Sequence, residues 1–259
     1  MAAGHSHPLH LAHDSPVHRL APEVKIVASV SFTVLVVLTP RERFWAFAAD
    51  LLVLAVVAGL ARVPARWLAT RSLIELPFVV LAVLLPLFGP GPHTEWLGVA
   101  LSVEGLLGAW NILAKGTLGV LASLLLAATT QHRDLIVGLD RLRAPAVVTQ
   151  IATFMLRYAE VLAAEARRMR IARLSRGYDP RFLWQAYAFA TGAGALFLRA
   201  FERGERGYLA MVSRGYAGRV PPLYGPGAGV AGWLTGMSVP TVAAVVLAVS
   251  LFGPGRLVP

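Results

Sequence analysis

Apolar residues fall along this chain in a few long blocks separated by basic or turn-forming stretches. Crossing the hydrocarbon of a bilayer takes about 20 predominantly apolar residues in a helix. Five blocks qualify or come close: 26–38, 44–60, 72–88, 105–126 and a core of 233–252 inside the uncharged stretch 220–255. The first is short, and Lys25 at its start can snorkel toward headgroups. The third carries Pro77 and Pro86, which predict kinks. The pattern therefore predicts an all-α, polytopic membrane helical bundle of about five spans.

A different pattern occupies 129–219. From Pro145 to Arg176 there is one Pro, at the start where a helix tolerates it, and no Gly. Apolar residues recur at Val147, Ile151, Phe154/Met155, Tyr158, Val161/Leu162 and Met169, the three-and-four spacing of one helical face. Arg157, Glu160, Arg167, Arg168 and Arg170 fill much of the remainder. Such a helix reaches roughly 45 Å. A second long helical pattern runs from Arg181 to Arg214. Its uncharged first part, 182–198, resembles a sixth span in composition. The organisation expected is a tail with four spans over 1–128, a helical region over 129–219, and a last span within 220–259.

Composition agrees with lipid as the main solvent. Mean hydropathy is +0.63. Hydrophobic residues make up 56% and charged residues 15%, against about 25% charged in ordinary soluble domains. Basic residues outnumber acidic ones 24 to 14. In a membrane protein this excess marks the cytoplasmic side and meets anionic headgroups, so nucleic acid is not an expected partner. Arg62, Arg66 and Arg71 lie between spans two and three. The segment 129–236 holds fifteen Arg and seven acids, whereas 89–104 has neither Lys nor Arg. The consistent orientation puts the N-terminus and the Arg-rich segment in the cytoplasm, with only Arg41 and Arg43 dissenting. The first apolar block lacks a small-x-small cleavage pattern and reads as a retained span. There is no Cys, which excludes disulfides and thiolate metal sites.

The most informative feature is a repeat. Ser175-Arg176-Gly177-Tyr178 recurs as Ser213-Arg214-Gly215-Tyr216, each after a long helical pattern and a basic, Met-containing turn. A Gly directly after a helix commonly takes the left-handed conformation that ends it. Each motif should therefore set an Arg at a helix tip. One such Arg reads as compensation of the helix dipole. Two copies with the same flanks suggest two prongs for two equivalent sites, because the guanidinium fork pairs with carboxylates in bidentate fashion. Tips with one purpose belong on one side of the membrane, so 182–198 should pack against other helices or dip and return. Its Gly192 and Gly194 would permit close approach.

With these motifs the chain resembles the transmembrane (T) component of energy-coupling factor (ECF) transporters, of the CbiQ type associated with cobalt. Asp14-Ser15-Pro16-Val17-His18-Arg19-Leu20, followed by Pro22 and Lys25, is similar to the opening of that subgroup. So is the run from Glu165 to Arg173 into the first motif, and Glu202-Arg203-Gly204-Glu205-Arg206 before the second. Ser stands before each Arg where Ala is frequent in the family. The resemblance implies that Ser175, Arg176, Gly177, Ser213, Arg214 and Gly215 couple to two ABC-type ATPase subunits. It also implies a CbiM-like substrate-binding membrane subunit, a home in a bacterial or archaeal cytoplasmic membrane, and transport of cobalt, with nickel or a vitamin such as biotin as alternatives.

No catalytic role, cofactor or metal is expected of the chain itself. It has no GxxxxGK[ST] phosphate loop, and its two lysines, Lys25 and Lys115, follow no Gly-rich run. A membrane-embedded lipid-modifying enzyme is the competing class. It would need convergent acids, His or a nucleophile at membrane depth, and no HExxH or GxSxG occurs. His5, His7, His10, His13 and His18 crowd the N-terminal tail without the fixed spacing of a structural metal site. Asp50 and Lys115 lie inside spans two and four. Charges there are expensive and usually paired, which predicts an ion pair between them or contact of Lys115 with a partner.

Overall fold

The computed structural model describes residues 10–11, 13–88, 93–96, 99–178, 187–218 and 227–252. The chain divides into two compact units, Met1–Leu142 with Pro226–Pro259, and Arg143–Gly225.

In the first unit, α1 (Pro16–Arg19) is one turn capped by Ser15, whose hydroxyl accepts from the His18 backbone N–H at 3.3 Å. Pro22 opens α2 (Pro22–Leu38), and the helix stops where Thr39 precedes Pro40, a position that disfavours helical backbone. α3 (Phe44–Leu60) ends in a left-handed residue, Arg62 at φ 55°. The third span is composite. α4 (Ala65–Arg71) passes through a 3₁₀ turn at Ser72–Glu75 into α5 (Leu76–Phe88). The turn falls where Pro77 lacks the N–H that would bond back to Leu73. Pro86 lies inside α5. A short antiparallel hairpin follows, β1 (His93–Trp96) and β2 (Val99–Ser102), with His93 opposite Ser102 and Trp96 opposite Val99. This hairpin is an addition to the helical pattern read from the sequence. Ser102 caps α6 (Val103–Thr129) by accepting from the Gly105 N–H at 3.2 Å. α7 (His132–Arg141) and α10 (Val230–Phe252) complete the unit.

α2 and α6 run antiparallel. Lys25 near the start of α2 donates to the Thr129 carbonyl at 2.8 Å, and Lys115 on α6 donates to the Val37 carbonyl at 2.7 Å. α5 and α6 are also antiparallel, since Gly105 faces Leu85 and Gly116 faces Glu75. α10 begins beside the start of α2. There the Ala228 N–H donates to Glu23 at 2.7 Å, and Gly236 lies so near Val24 that a Cβ could not be accommodated without a shift. The core contains Phe32, Val36, Phe47, Leu54, Leu118 and Ala243. Outward faces are apolar too: Leu73, Ile74, Phe78, Val83, Val56 and Leu52 are all more than half exposed. That inversion of the soluble pattern fits lipid as solvent.

Four described helical stretches are long and apolar enough to cross a membrane: Ala65–Leu87, Val103–Thr129, Ala146–Ser175 and Val230–Phe252. Phe44–Leu60 is a shorter apolar helix.

The second unit holds α8 (Ala146–Ser175) and α9 (Tyr187–Val212). α8 follows Pro145 and contains neither Gly nor Pro. In the stretch 182–198, residues 182–186 lie outside the described residues, and the remainder is the apolar start of α9.

Candidate functional site: two arginine-tipped helix ends

The two repeats fold identically. At the end of α8, Gly177 takes φ +74°, its N–H donates to the Leu174 carbonyl at 3.0 Å, and the Tyr178 N–H reaches back to Arg173 at 3.1 Å. At the end of α9, Gly215 takes φ +84°, its N–H donates to Val212 at 2.9 Å, and the Tyr216 N–H reaches back to Met211 at 3.0 Å. This pair of bonds is the Schellman cap, which satisfies the last helical carbonyls and requires left-handed backbone at the Gly. The serines match as well. Ser175 donates to the Ala172 carbonyl and Ser213 to the Ala210 carbonyl, each at 3.1 Å. Arg176 and Arg214 thus occupy the same cap position, and both are exposed. Sequence identity of the motifs has become identity of backbone geometry.

Pairing within the unit then sets where the tips lie. Gly192 on α9 faces Met169 and Arg173 of α8. Arg199 bridges to Glu165, which also takes Arg168 at 2.6 Å. Gly207 faces the Tyr158 hydroxyl. Tyr216 donates to Gln150 Oε1 at 2.7 Å, and Gln150 Nε2 donates to the Gly218 carbonyl at 3.1 Å. As α9 advances, its partners retreat along α8, so the helices are antiparallel. The second motif therefore lies beside the first turns of α8, and the first motif closes its last. Gln150 to Ser175 spans about 38 Å at the helical rise.

The charges inside the first unit depart from the sequence expectation. Among the described residues no ion pair joins Asp50 to Lys115. Lys115 caps Val37, one of the last α2 carbonyls, which no intrahelical N–H can reach. Asp50 is 1% exposed and its Oδ1 has no partner among the described residues. A second acid, Glu75, is not singled out by the sequence pattern. It is 5% exposed and receives the Thr117 hydroxyl at 3.1 Å on both oxygens. Of the tail histidines, His5 and His7 lie outside the described residues. The ring of His18 is fixed by Ser15 at 2.7 Å and the Leu11 carbonyl at 3.1 Å. No group of three or more His or acidic side chains among the described residues is placed to hold a metal ion.

An apolar helical bundle joined in one chain to a pair of long capped helices defines a multi-pass membrane protein. The family model described as CbiQ, cobalt transport protein, matches residues 13–223, and the chain belongs to that family. The cobalt transport protein CbiQ of Rhodobacter capsulatus is 30% identical over 161 residues, covering 62% of this chain and 64% of that protein. The energy-coupling factor transporter transmembrane protein EcfT of Thermanaerovibrio acidaminovorans is 32% identical over 220 residues, covering 80% and 81%. EcfT of Bacillus selenitireducens is 30% identical over 221 residues, covering 79% and 81%. The match thus spans just under two thirds of the first of these relatives and about four fifths of the other two.

Proposed function

We propose that this chain is the coupling subunit of an ECF-type importer. Its membrane unit meets a CbiM-like substrate-binding subunit, and Arg176 and Arg214 each dock on one of two ABC-type ATPase subunits. The observation that carries the reading is the pair of identically capped Ser-Arg-Gly-Tyr tips at opposite ends of one antiparallel helix pair. A twofold ATPase offers two equivalent grooves, and a rod with the same prong at each end can engage both. The guanidinium fork suits acidic residues in such grooves.

The pair lies along the cytoplasmic face of the membrane rather than across it. Arg157, Glu160, Glu165, Arg167, Arg168, Arg170 and Arg173 all lie on α8. Each charge placed centrally in the hydrocarbon costs about 2.5–3.5 kcal/mol on insertion scales. Lying flat also puts both tips on one side of the bilayer. Cobalt is the solute, as the family description and the relative from Rhodobacter capsulatus suggest. Solute choice resides in the partner membrane subunit, which leaves nickel as the nearest alternative.

The test is co-purification from cells expressing the chain with its neighbouring transport subunits. The unmodified chain should retain both ATPase subunits, and the Arg176→Ala/Arg214→Ala chain should lose them while keeping its membrane partner. Retention of the ATPases by the double variant would overturn the coupling assignment. Cobalt and nickel accumulation by the intact complex decides the solute.

A further inference from the structure

Two cavities meet at one end of the α2–α6 pair. The first, about 200 Å³, is almost wholly apolar and runs between α2, α3, α6 and α10, past Phe32, Leu54 and Leu125. The second, about 210 Å³, is polar and is lined by His10, His13, Thr130, Gln131 and Asp134 among others. Leu20, Lys25 and Thr129 line both. Their junction is therefore the level at which α2 begins and α6 ends, where hydrocarbon gives way to headgroups.

The polar cavity is equipped to hold a ligand. Thr130 is 2% exposed and its Oγ1 has no partner among the described residues, although it lines the cavity. A buried hydroxyl left unpaired costs about 1–3 kcal/mol, so a partner there is worth having. Lys25 is 9% exposed and donates to two carbonyls, His18 at 3.1 Å and Thr129 at 2.8 Å. An ammonium has a third proton to give. Gln131, the N-cap of α7, lines the same cavity and makes no side-chain cap. Asp134 stands in the same lining. One cation and one acid together match a headgroup carrying both signs better than a purely anionic one.

We propose that the two cavities form a single phospholipid site. The phosphate of a phosphoethanolamine headgroup sits on Lys25 and Thr130, its ammonium turns toward Asp134, and one acyl chain lies along Phe32 and Leu125. The apolar and polar halves share Leu20, Lys25 and Thr129 in their linings, so they adjoin in the order of parts in a lipid. An inorganic phosphate would leave the apolar half unused, and a detergent tail would leave Thr130 unpaired. The site is independent of the ATPase-docking reading, since it lies wholly within the first unit.

The test is native mass spectrometry of the full chain released from nanodiscs of equal parts phosphatidylethanolamine, phosphatidylglycerol and phosphatidylcholine. One phosphatidylethanolamine per chain should survive release. Thr130→Val, which preserves shape, should lower its retention roughly threefold to tenfold. Ala28→Phe, which fills the apolar half, should lower it further. Lys25→Met removes two structural hydrogen bonds as well, so Thr130→Val is the deciding variant. Retention of the three lipids in bulk proportion, preference for phosphatidylglycerol, or unchanged retention in Thr130→Val would each overturn the proposal.

Discussion

Tyr216 and Gln150, 66 positions apart in the chain, are joined by a 2.7 Å hydrogen bond from the phenol to the amide oxygen. The same amide holds the Gly218 carbonyl through its nitrogen. One glutamine near the start of α8 therefore anchors the cap that follows α9. Tyr216→Phe should weaken that anchor by about 0.5–1.5 kcal/mol. Amide exchange at Gly215 and Tyr216 should quicken by roughly threefold to tenfold, with exchange in mid-α8 unchanged. Gln150→Ala should do at least as much, since it also loses the Gly218 contact, and adding Tyr216→Phe to Gln150→Ala should change little further, as for two residues sharing one interaction.

Arginine at the tips should not be replaceable by lysine. Arg176→Lys and Arg214→Lys keep the charge but lose the planar fork. Each should reduce capture of ATPase subunits by about tenfold, the loss of one charge-assisted hydrogen bond. Titration of the purified chain with ATPase subunits reads this directly, and equal capture by the lysine variants would show that charge alone suffices.

Close helix contact makes some glycines irreplaceable and others not. A Cβ at Gly105 would lie 2.6 Å from the Leu85 carbonyl oxygen, a backbone atom that cannot swing aside. Gly105→Ala should therefore cost about 1–3 kcal/mol by overpacking. Nothing lies within 4 Å of a Cβ at Gly59 inside α3. Gly59→Ala should be neutral or stabilising by up to about 1 kcal/mol, the helix-propensity gain. Thermal unfolding of the two variants in one detergent compares them.

The turn at Ser15–His18 should be sensitive to acid. Burial pushes the His18 imidazole below its ordinary value of 6.5, against a smaller opposing pull from the Leu11 carbonyl. Its contacts suit a neutral ring, Nε2–H donating to Leu11 and Nδ1 accepting from the Ser15 hydroxyl. A histidine with a depressed folded pKa stabilises in full above the unfolded value. That contribution is lost as pH falls below 6.5 through the folded value. The difference in unfolding midpoint between the unmodified chain and His18→Ala should be largest above about pH 7 and shrink toward pH 5.

Local chemistry explains how much of this could be read in advance. Thr39-Pro40 ends α2 and the Gly of each repeat ends its helix, because both effects act within a few residues of backbone. The same holds for Ser15 and Ser102, whose caps close over three positions. The partners of the lysines could not be read. All are main-chain carbonyls, His18 and Thr129 for Lys25 and Val37 for Lys115, and a carbonyl is present at every position of any sequence. Opposite charges in neighbouring spans suggested Asp50 with Lys115, but the nearer helix end claimed the ammonium. Antiparallel pairing of α8 with α9 likewise rests on long-range contacts, Arg199 with Glu165 and Tyr216 with Gln150, that no local spacing announces.

An unbroken α8, free of glycine and proline, gives the second unit a stiff beam that, docked as proposed, has a fastening at each extremity. When both fastenings shift equally, such a beam is merely carried along. When they shift by different amounts, it tilts, and the tilt grows with the difference divided by its span. Held in this way, the protein would answer to asymmetry between its two supports and stay indifferent to whatever they do in unison.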